Sequence, residues 1–350
     1  MCFETPPVDL LEPRAELESL ERGRWLALPS ADPVVTYLQS ELWDPGVSSP
    51  TWQAARLSHS VYLYRETESQ WAAVAKYYTV KTGRDALRHA QGEQDRLHQA
   101  AAAGLATGPH RAVRFLSLWR GILFQEYVDG LTLEDMISVR ATRPGVLERG
   151  LQRVAHLLAT LHTRGRRPDA EPDFGPAVSH TAKIVDELAR WGVLEGNEIV
   201  EDGLRALISR WAGRAAMRRF VPALVHGDAT SSNFIFPSPG EVVAIDWERL
   251  WVTDPALDLG RLMAEVSHSI TQRGGNEREA RSYAAFLATA YRGALPVGVD
   301  ADAVLDRAAF YRASSALRIA RNGWVSRLDR MGLVAHAMAL LAQPDHSGAG

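Results

Sequence analysis

A single cysteine, Cys2, occurs in the 350-residue chain, which excludes an internal disulfide and any cysteine-built metal centre. Lysine is almost as scarce: of 39 lysines and arginines only Lys76, Lys81 and Lys183 are lysine. A chain that uses arginine nearly everywhere draws attention to a lysine kept inside an apolar run, where a compact point charge matters. No apolar run approaches the length of a membrane span, and the opening Met1-Cys2-Phe3-Glu4-Thr5-Pro6-Pro7 has neither a basic nor an apolar signal region, so the cytoplasm is the expected location and no membrane partner is expected. A net charge of −3 gives no support for binding nucleic acid through phosphate neutralisation. Internal repeats, low-complexity tracts and metal-binding His/Cys spacings are also missing. What remains is ordinary soluble composition, 46% hydrophobic and 23% charged, in a chain long enough for two compact lobes.

The densest chemistry lies in His226-Gly227-Asp228, followed by Asn233 and by Asp246 within Val242-Val243-Ala244-Ile245-Asp246-Trp247-Glu248. The pattern reads as a short strand ending in a polar loop, then a strand, a turn and a second strand. Phosphoryl transfer calls for these residue types. A metal ion between the β- and γ-phosphates takes hard oxygen ligands, which Asn233 and Asp246 can offer. The accepting hydroxyl must lose its proton to a carboxylate within hydrogen-bond reach, for which Asp228 is placed.

At these residues the chain resembles the aminoglycoside phosphotransferase/choline kinase family, whose pattern is H-G-D, an Asn five positions after the Asp, and then I-D. The resemblance implies that Asp228 is the catalytic base, Asn233 a metal ligand and Asp246 the principal Mg²⁺ ligand. His226 is implied to pack behind the catalytic loop and support it. Asp254-Pro255-Ala256-Leu257-Asp258-Leu259 follows as a helix start with a capping Asp and an early Pro. The family carries a similar D-P-x-x-D-L, so Asp258 is implied to bond toward the catalytic loop. A solvated carboxylate in the first helical turn is the competing reading.

Upstream, Val61-Tyr62-Leu63-Tyr64-Arg65-Glu66 and Trp71-Ala72-Ala73-Val74-Ala75-Lys76-Tyr77-Tyr78 are aromatic and β-branched runs around a four-residue turn, the pattern of a hairpin. Lys76 sits within the second run. A buried ammonium needs a partner. Residues 85–105 have helical periodicity with Ala86, Ala90, Leu97 and Ala101 on one stripe, and Glu93 falls in that stripe. The resemblance implies that Lys76 contacts the α/β-phosphates and that Glu93 holds it. Lys81 is the fallback, although Thr82-Gly83 after it suggests a strand end. Residues 54–70 contain no glycine, so no glycine-rich loop covers the phosphates. Backbone amides at 58–60 or 67–70 are the candidates for that task. A second hairpin, residues 113–119 and 121–124, runs into Gln125-Glu126-Tyr127-Val128-Asp129-Gly130, which resembles the family's interlobe hinge. Glu126, Tyr127 and Val128 are thereby implied to meet the adenine edge.

Beyond the hinge the chain is predominantly helical. Leu151, Val154, Ala155, Leu158 and Leu161 form a stripe at 3.6-residue spacing that ends at Gly165, with His162 read as structural. Residues 257–270, 277–291, 303–320 and 325–341 each carry helical periodicity. No motif there identifies an acceptor. Glu248 and Glu265 could meet a cationic substrate, against the plainer reading that each is a solvated charge. Residues 14–28 and 34–43 read as two short helical stretches that pack on the small lobe, punctuated by Asp32-Pro33 and Asp44-Pro45-Gly46.

The expected fold is α+β and protein-kinase-like in two lobes, a small antiparallel β-sheet lobe and a mostly helical large lobe, with the resemblance covering about residues 55–345. The expected organisation is an N-terminal extension (1–50), a small nucleotide-binding lobe (51–124), a hinge (125–130) and a large catalytic and acceptor-binding lobe (131–350). The resemblance implies ATP and Mg²⁺ as cofactors and transfer of the γ-phosphoryl group to a hydroxyl of a small molecule: an aminoglycoside-like antibiotic, a sugar, an amino alcohol or a biosynthetic intermediate. Two alternatives stay open, a kinase of Ser/Thr hydroxyls on a natural-product precursor peptide and a nucleotide-binding regulatory protein without turnover. Oligomeric state is not legible in the sequence.

Overall fold

The computed structural model describes residues 10–43, 50–79, 85–194 and 198–344. Lys81 with Thr82-Gly83, and the Asp44-Pro45-Gly46 turn, lie outside the described residues. The chain forms two compact units. The first takes the described residues up to Gln99 together with Val113–Asp129, and the second takes Ala100–Ala112 and the described residues from Gly130 onward. The stretch Ala100–Ala112, which the sequence reading placed in the small lobe, therefore belongs to the larger unit. Its strand β5 (His110–Ala112) pairs with a strand formed more than a hundred residues later.

In chain order the first unit contains α1 (Ala15–Glu18), β1 (Trp25–Leu28), α2 (Pro33–Tyr37), β2 (Trp52–Ser58), β3 (Val61–Glu66), β4 (Ala72–Tyr77), α3 (Ala86–Ala100, to Gln99 in this unit), β6 (Phe115–Trp119) and β7 (Ile122–Glu126). The strands make one antiparallel sheet in the order β1-β2-β3-β4-β7-β6. Arg120 and Gly121, both at positive φ, close the β6–β7 hairpin in the left-handed backbone that two-residue hairpin turns require.

Residues 14–28 do not form one helix: α1 is a single turn and β1 adds an edge strand, with Trp25 opposite Ala55 and Leu28 opposite Trp52. Local propensity yields here to the hydrogen bonds and apolar cover that β2 supplies. The following helix starts at a true cap. Asp32 accepts from the amides of Val34 (2.9 Å) and Val35 (3.2 Å), with Pro33 at the first helical position. Leu17, Val34, Val35 and Leu38 are buried in the same core as Trp52, Tyr62, Tyr64 and Phe124, and Tyr37 stacks on Trp119 at 4.4 Å. Each such side chain contributes about 1.5–3 kcal/mol on burial, so this segment is part of the sheet unit's core.

The second unit holds β8 (Leu131–Thr132), α4 (Leu133–Val139), α5 (Val146–Arg164), α6 (Gly175–Arg190), α7 (Glu198–Gly213), β9 (Ala223–Val225), β10 (Phe234–Phe236), β11 (Val242–Ala244), β12 (Trp251–Thr253), α8 (Ala256–Gln272), α9 (Glu277–Ala294), α10 (Ala301–Ala320) and α11 (Arg327–Leu341). The sheet β5-β11-β10-β8 and the ribbon β12-β9 carry the polar loops. The apolar stripe of α5 is fully buried. Helix α8 packs on α10 at close range because Gly260 has no side chain: a Cβ there would lie 2.6 Å from the Ala308 carbonyl and the Arg312 amide. A buried bidentate pair, Arg307 Nε and Nη2 to Asp254 at 2.8 and 3.0 Å, fixes the start of α8 against α10. Among the described residues no helix is long and apolar enough to cross a membrane.

Candidate active site

Strand β9 ends at Val225, and His226, Gly227 and Asp228 turn away from it. Gly227 has φ +77°, and a Cβ there would sit 2.0 Å from the Arg249 carbonyl. Only glycine fits. Gly227→Ala is therefore expected to destabilise the protein by about 2 kcal/mol or more and to disturb Asp228 next to it; thermal unfolding checks this, since an unchanged melting temperature would contradict the close approach.

Asp258 clamps this turn from the first turn of α8. Its Oδ2 accepts from the His226 amide at 2.7 Å and its Oδ1 from the Gly227 amide at 2.9 Å. His162 of α5 reaches the same carboxylate through Nε2 at 3.0 Å, while its Nδ1 is 2.9 Å from the Tyr291 hydroxyl. Burial alone would raise the Asp258 carboxyl, but the hydrogen bond to His162 and the His226 amide donor reverse that and hold it below the usual carboxylate range. The solvated reading of Asp258 is thus excluded: the side chain is fully buried.

His226 is also fully buried and packs at a tilt against Trp247 with ring centroids 4.5 Å apart. Its Nδ1 accepts from the Asp228 amide at 3.3 Å, so Nε2 carries the proton and donates to the Ile245 carbonyl at 3.0 Å. Burial pushes the ring down, which keeps it neutral. Its contacts tie the loop of Asp228 to the strand that delivers Asp246.

Asn233 directly precedes β10, and Asp246 lies two residues beyond the end of β11. The antiparallel pairing of Phe234 with Ala244 brings the two ends together, and the Ile245 amide donates to the Asn233 carbonyl at 3.0 Å. The Asn233 side-chain amide donates to the Asp228 carbonyl at 2.9 Å, which leaves its oxygen as the acceptor end. Asp246 lies in the left-handed region at φ +62°, a conformation Asp adopts more readily than most residues. Trp247 behind it is buried and donates its indole N–H to Ala244 at 2.8 Å. One amide oxygen and one carboxylate form a hard-oxygen set that fits Mg²⁺, an ion bound through one or two carboxylates plus substrate phosphates and water. Among the described residues no group of three or more His, Cys, Asp or Glu forms a cage of its own.

Sequence reasoning missed Arg261. Its Nη1 lies 2.7 Å from Asp228 Oδ1 and also bonds the Gly227 carbonyl. The available signal was its place three residues after Asp258 on α8, hence on the same helical face. Burial and then the nearby Arg318 make the Arg261 guanidinium a stronger acid than usual.

In the first unit, Lys76 Nζ lies 2.6 Å from Glu93 Oε1, and Glu93 is fully buried. Gln125 Nε2 donates to the same oxygen at 3.2 Å and the Tyr78 hydroxyl donates to Oε2, two further partners that sequence reasoning did not name. At the end of β7, the Glu126 carboxylate accepts from the Arg114 amide at 2.8 Å and from its Nε at 3.0 Å. Its side chain is thereby committed, and Tyr127 and Val128 follow it out of the sheet with Tyr127 exposed.

In the 67–70 turn, the amides of residues 67, 68 and 69 are already engaged. The Thr67 amide is bonded to Thr51, and the Glu68 and Ser69 amides donate to Glu66. Although burial pushes the Glu66 carboxyl up, the Ser69 hydroxyl and these amides outweigh it and draw it down to about 2. The β2–β3 turn at residues 58–60, with Ser60 at φ +59°, stays available.

The sequence model of the phosphotransferase enzyme family matches residues 54–297, and the chain belongs to that family. A search of curated proteins finds no match to the sequence. Solved structures similar in fold include a choline/ethanolamine kinase family protein from Mesorhizobium loti (19% identity, 90% of this chain and 92% of that one, TM-score 0.54). Choline kinase LicA from Streptococcus pneumoniae is similar at 18% identity, over 82% of this chain and 91% of that one, with TM-score 0.52. The ADP-bound aminoglycoside phosphotransferase APH(2'')-Ib is similar at 15% identity, over 85% and 95%, with TM-score 0.50. At these identities the likeness shows the fold, α+β and kinase-like, and the family match makes the chain a phosphotransferase.

Proposed function

We propose that this phosphotransferase moves the γ-phosphoryl group of ATP, with Mg²⁺, to a hydroxyl of a small molecule. The observation that carries the reading is the catalytic turn itself: Asp258 clamps the two amides before Asp228, while Arg261 holds one oxygen of Asp228 and leaves Oδ2 for the acceptor's proton. The hydroxyl proton passes to Asp228 Oδ2 as the acceptor oxygen bonds to the γ-phosphorus. The bond from that phosphorus to the β,γ-bridging oxygen breaks, and ADP leaves with the electron pair. Asn233 and Asp246 would hold Mg²⁺, which when bound neutralises charge on the phosphates. Lys76 meets the α/β-phosphates and Glu93 fixes it, with main-chain groups near Tyr127 and Val128 serving the adenine edge.

A small acceptor is favoured over a peptide by the cleft beside the turn, about 310 Å³, which is the size of a small-molecule site. The retained Lys76–Glu93 pair and the clamped Asp228 speak against a regulatory protein without turnover.

Lys76→Arg is expected to weaken ATP binding by about tenfold or more, because a planar fork cannot replace an ammonium seated 2.6 Å from a buried carboxylate. Calorimetric titration of Mg·ATP into both proteins checks this. Equal affinity would remove Lys76 from the nucleotide site.

A further inference from the structure

The cleft beside Asp228 has a charge that neither the sequence reading nor the fold likeness supplies. It lies wholly within the second unit and is lined by Arg249, Arg261 and Arg318, with His180, Trp251 and Ser315 among its other walls. No carboxylate is among its lining residues. We propose that the acceptor is a hydroxyl compound carrying an anionic group, a carboxylate or a phosphate, which these three arginines recognise. The proposal rests on the phosphotransfer reading of Asp228.

Three observations support it. The carboxylates named from sequence as partners for a cation do not face the cleft as free groups: Glu265 is bonded to Arg318, and Glu248 lies half-exposed with an oxygen 3.6 Å from Arg249 Nε. Second, the Arg249 guanidinium retains donors to offer. The Arg249 side chain is 56% exposed, and its Nε lies 4.0 Å from Asp228 Oδ2 and 3.6 Å from Glu248 Oε1, both longer than a hydrogen bond. Third, the His180 ring is pushed toward its neutral form by burial and then by Arg261, Arg321 and Arg318, in keeping with the arginines of this wall. Forked guanidiniums match the planar oxygens of carboxylate and phosphate alike. An amino sugar or a quaternary amine would find no carboxylate on the walls of this cleft.

The test titrates the full chain calorimetrically with matched hydroxyl compounds: glycerate, glycerol 3-phosphate, neutral glycerol and cationic choline. ATP consumption is followed with each. At least one of the two anions is expected to bind about tenfold tighter than glycerol or choline, and which one binds tells carboxylate from phosphate. Arg249→Gln, at a half-exposed side chain whose nearest carboxylate oxygens are Glu248 Oε1 at 3.6 Å and Asp228 Oδ2 at 4.0 Å, should weaken that binding by about tenfold without altering ATP affinity. Arg318→Lys keeps the charge beside Glu265 but loses the fork, and should weaken it as well. Failure of both anions to bind, tighter binding of choline, unchanged anion binding in both variants, or an effect of the variants on ATP affinity alone each overturns the proposal. The two readings separate cleanly: choline-dependent ATP consumption removes the anion and keeps the phosphotransferase, whereas anion binding with no ATP binding keeps the arginine site and removes the nucleotide assignment.

Discussion

Asp246→Ala is expected to lower phosphoryl transfer by on the order of a thousandfold or more while the protein stays folded. The carboxylate leaves β11 at a position set by the pairing of Phe234 with Ala244, and the buried Trp247 locks the next residue in place. In protein kinases a Phe-Gly pair follows the corresponding Asp and allows it to swing. Here Trp247 is bonded to Ala244 and packed at a tilt against His226, which fixes the residue that follows Asp246. Alanine carries a modest backbone cost at φ +62°, about 1 kcal/mol. Asp246→Asn avoids that cost, since Asn tolerates the same conformation, and should still lose most of the activity because a neutral amide is a poorer ligand for a divalent ion. Circular dichroism separates loss of chemistry from loss of fold. Mg²⁺-dependent turnover that survives both substitutions would show the ligand assignment to be wrong.

Asp228→Asn is expected to reduce the rate by about a hundredfold to ten-thousandfold, the usual contribution of one acid–base group, with ATP affinity unchanged. The asparagine oxygen can still accept from Arg261, so that buried guanidinium keeps a partner and the turn keeps its shape. Asp228→Ala removes that partner. Because Arg261 sits largely buried, the alanine variant should be less stable than the asparagine variant by up to about 3 kcal/mol. Equal stability of the two would mean that the Arg261 contact is dispensable, and equal loss of ATP binding in Asp228→Asn would make the residue structural or metal-bound.

The turn of His226, Gly227 and Asp228 was legible because its residues are close in sequence and their spacing is imposed by a strand, a loop and a hairpin. Lys76 and Glu93 could be paired across 17 positions because each stands in the apolar phase of its element, where an unpaired charge is costly. The helical stripe of α5 was legible for the same reason of phase. Other features depend on partners remote in sequence. Trp25–Leu28 is a strand only because β2 lies beside it, and Ala100–Ala112 joins the second unit only because β11 pairs with β5. Helices α6 and α7 had no counterpart among the stretches singled out from the sequence. The sign of the cleft was hidden by composition. With arginine at most basic positions, nothing in the sequence distinguishes Arg261 and Arg318, held at Asp228 and Glu265, from the arginines on the surface.

The central claim, that Asp228 removes the acceptor's proton during transfer from ATP, is tested most directly by following the γ-phosphoryl label of ATP in the unmodified protein and in Asp228→Asn, with nucleotide binding measured on both. The account predicts label leaving ATP in the first, at least a hundredfold slower release in the second, and equal ATP affinity. Equal rates in the two proteins, or no release by either while ATP binds, would contradict it.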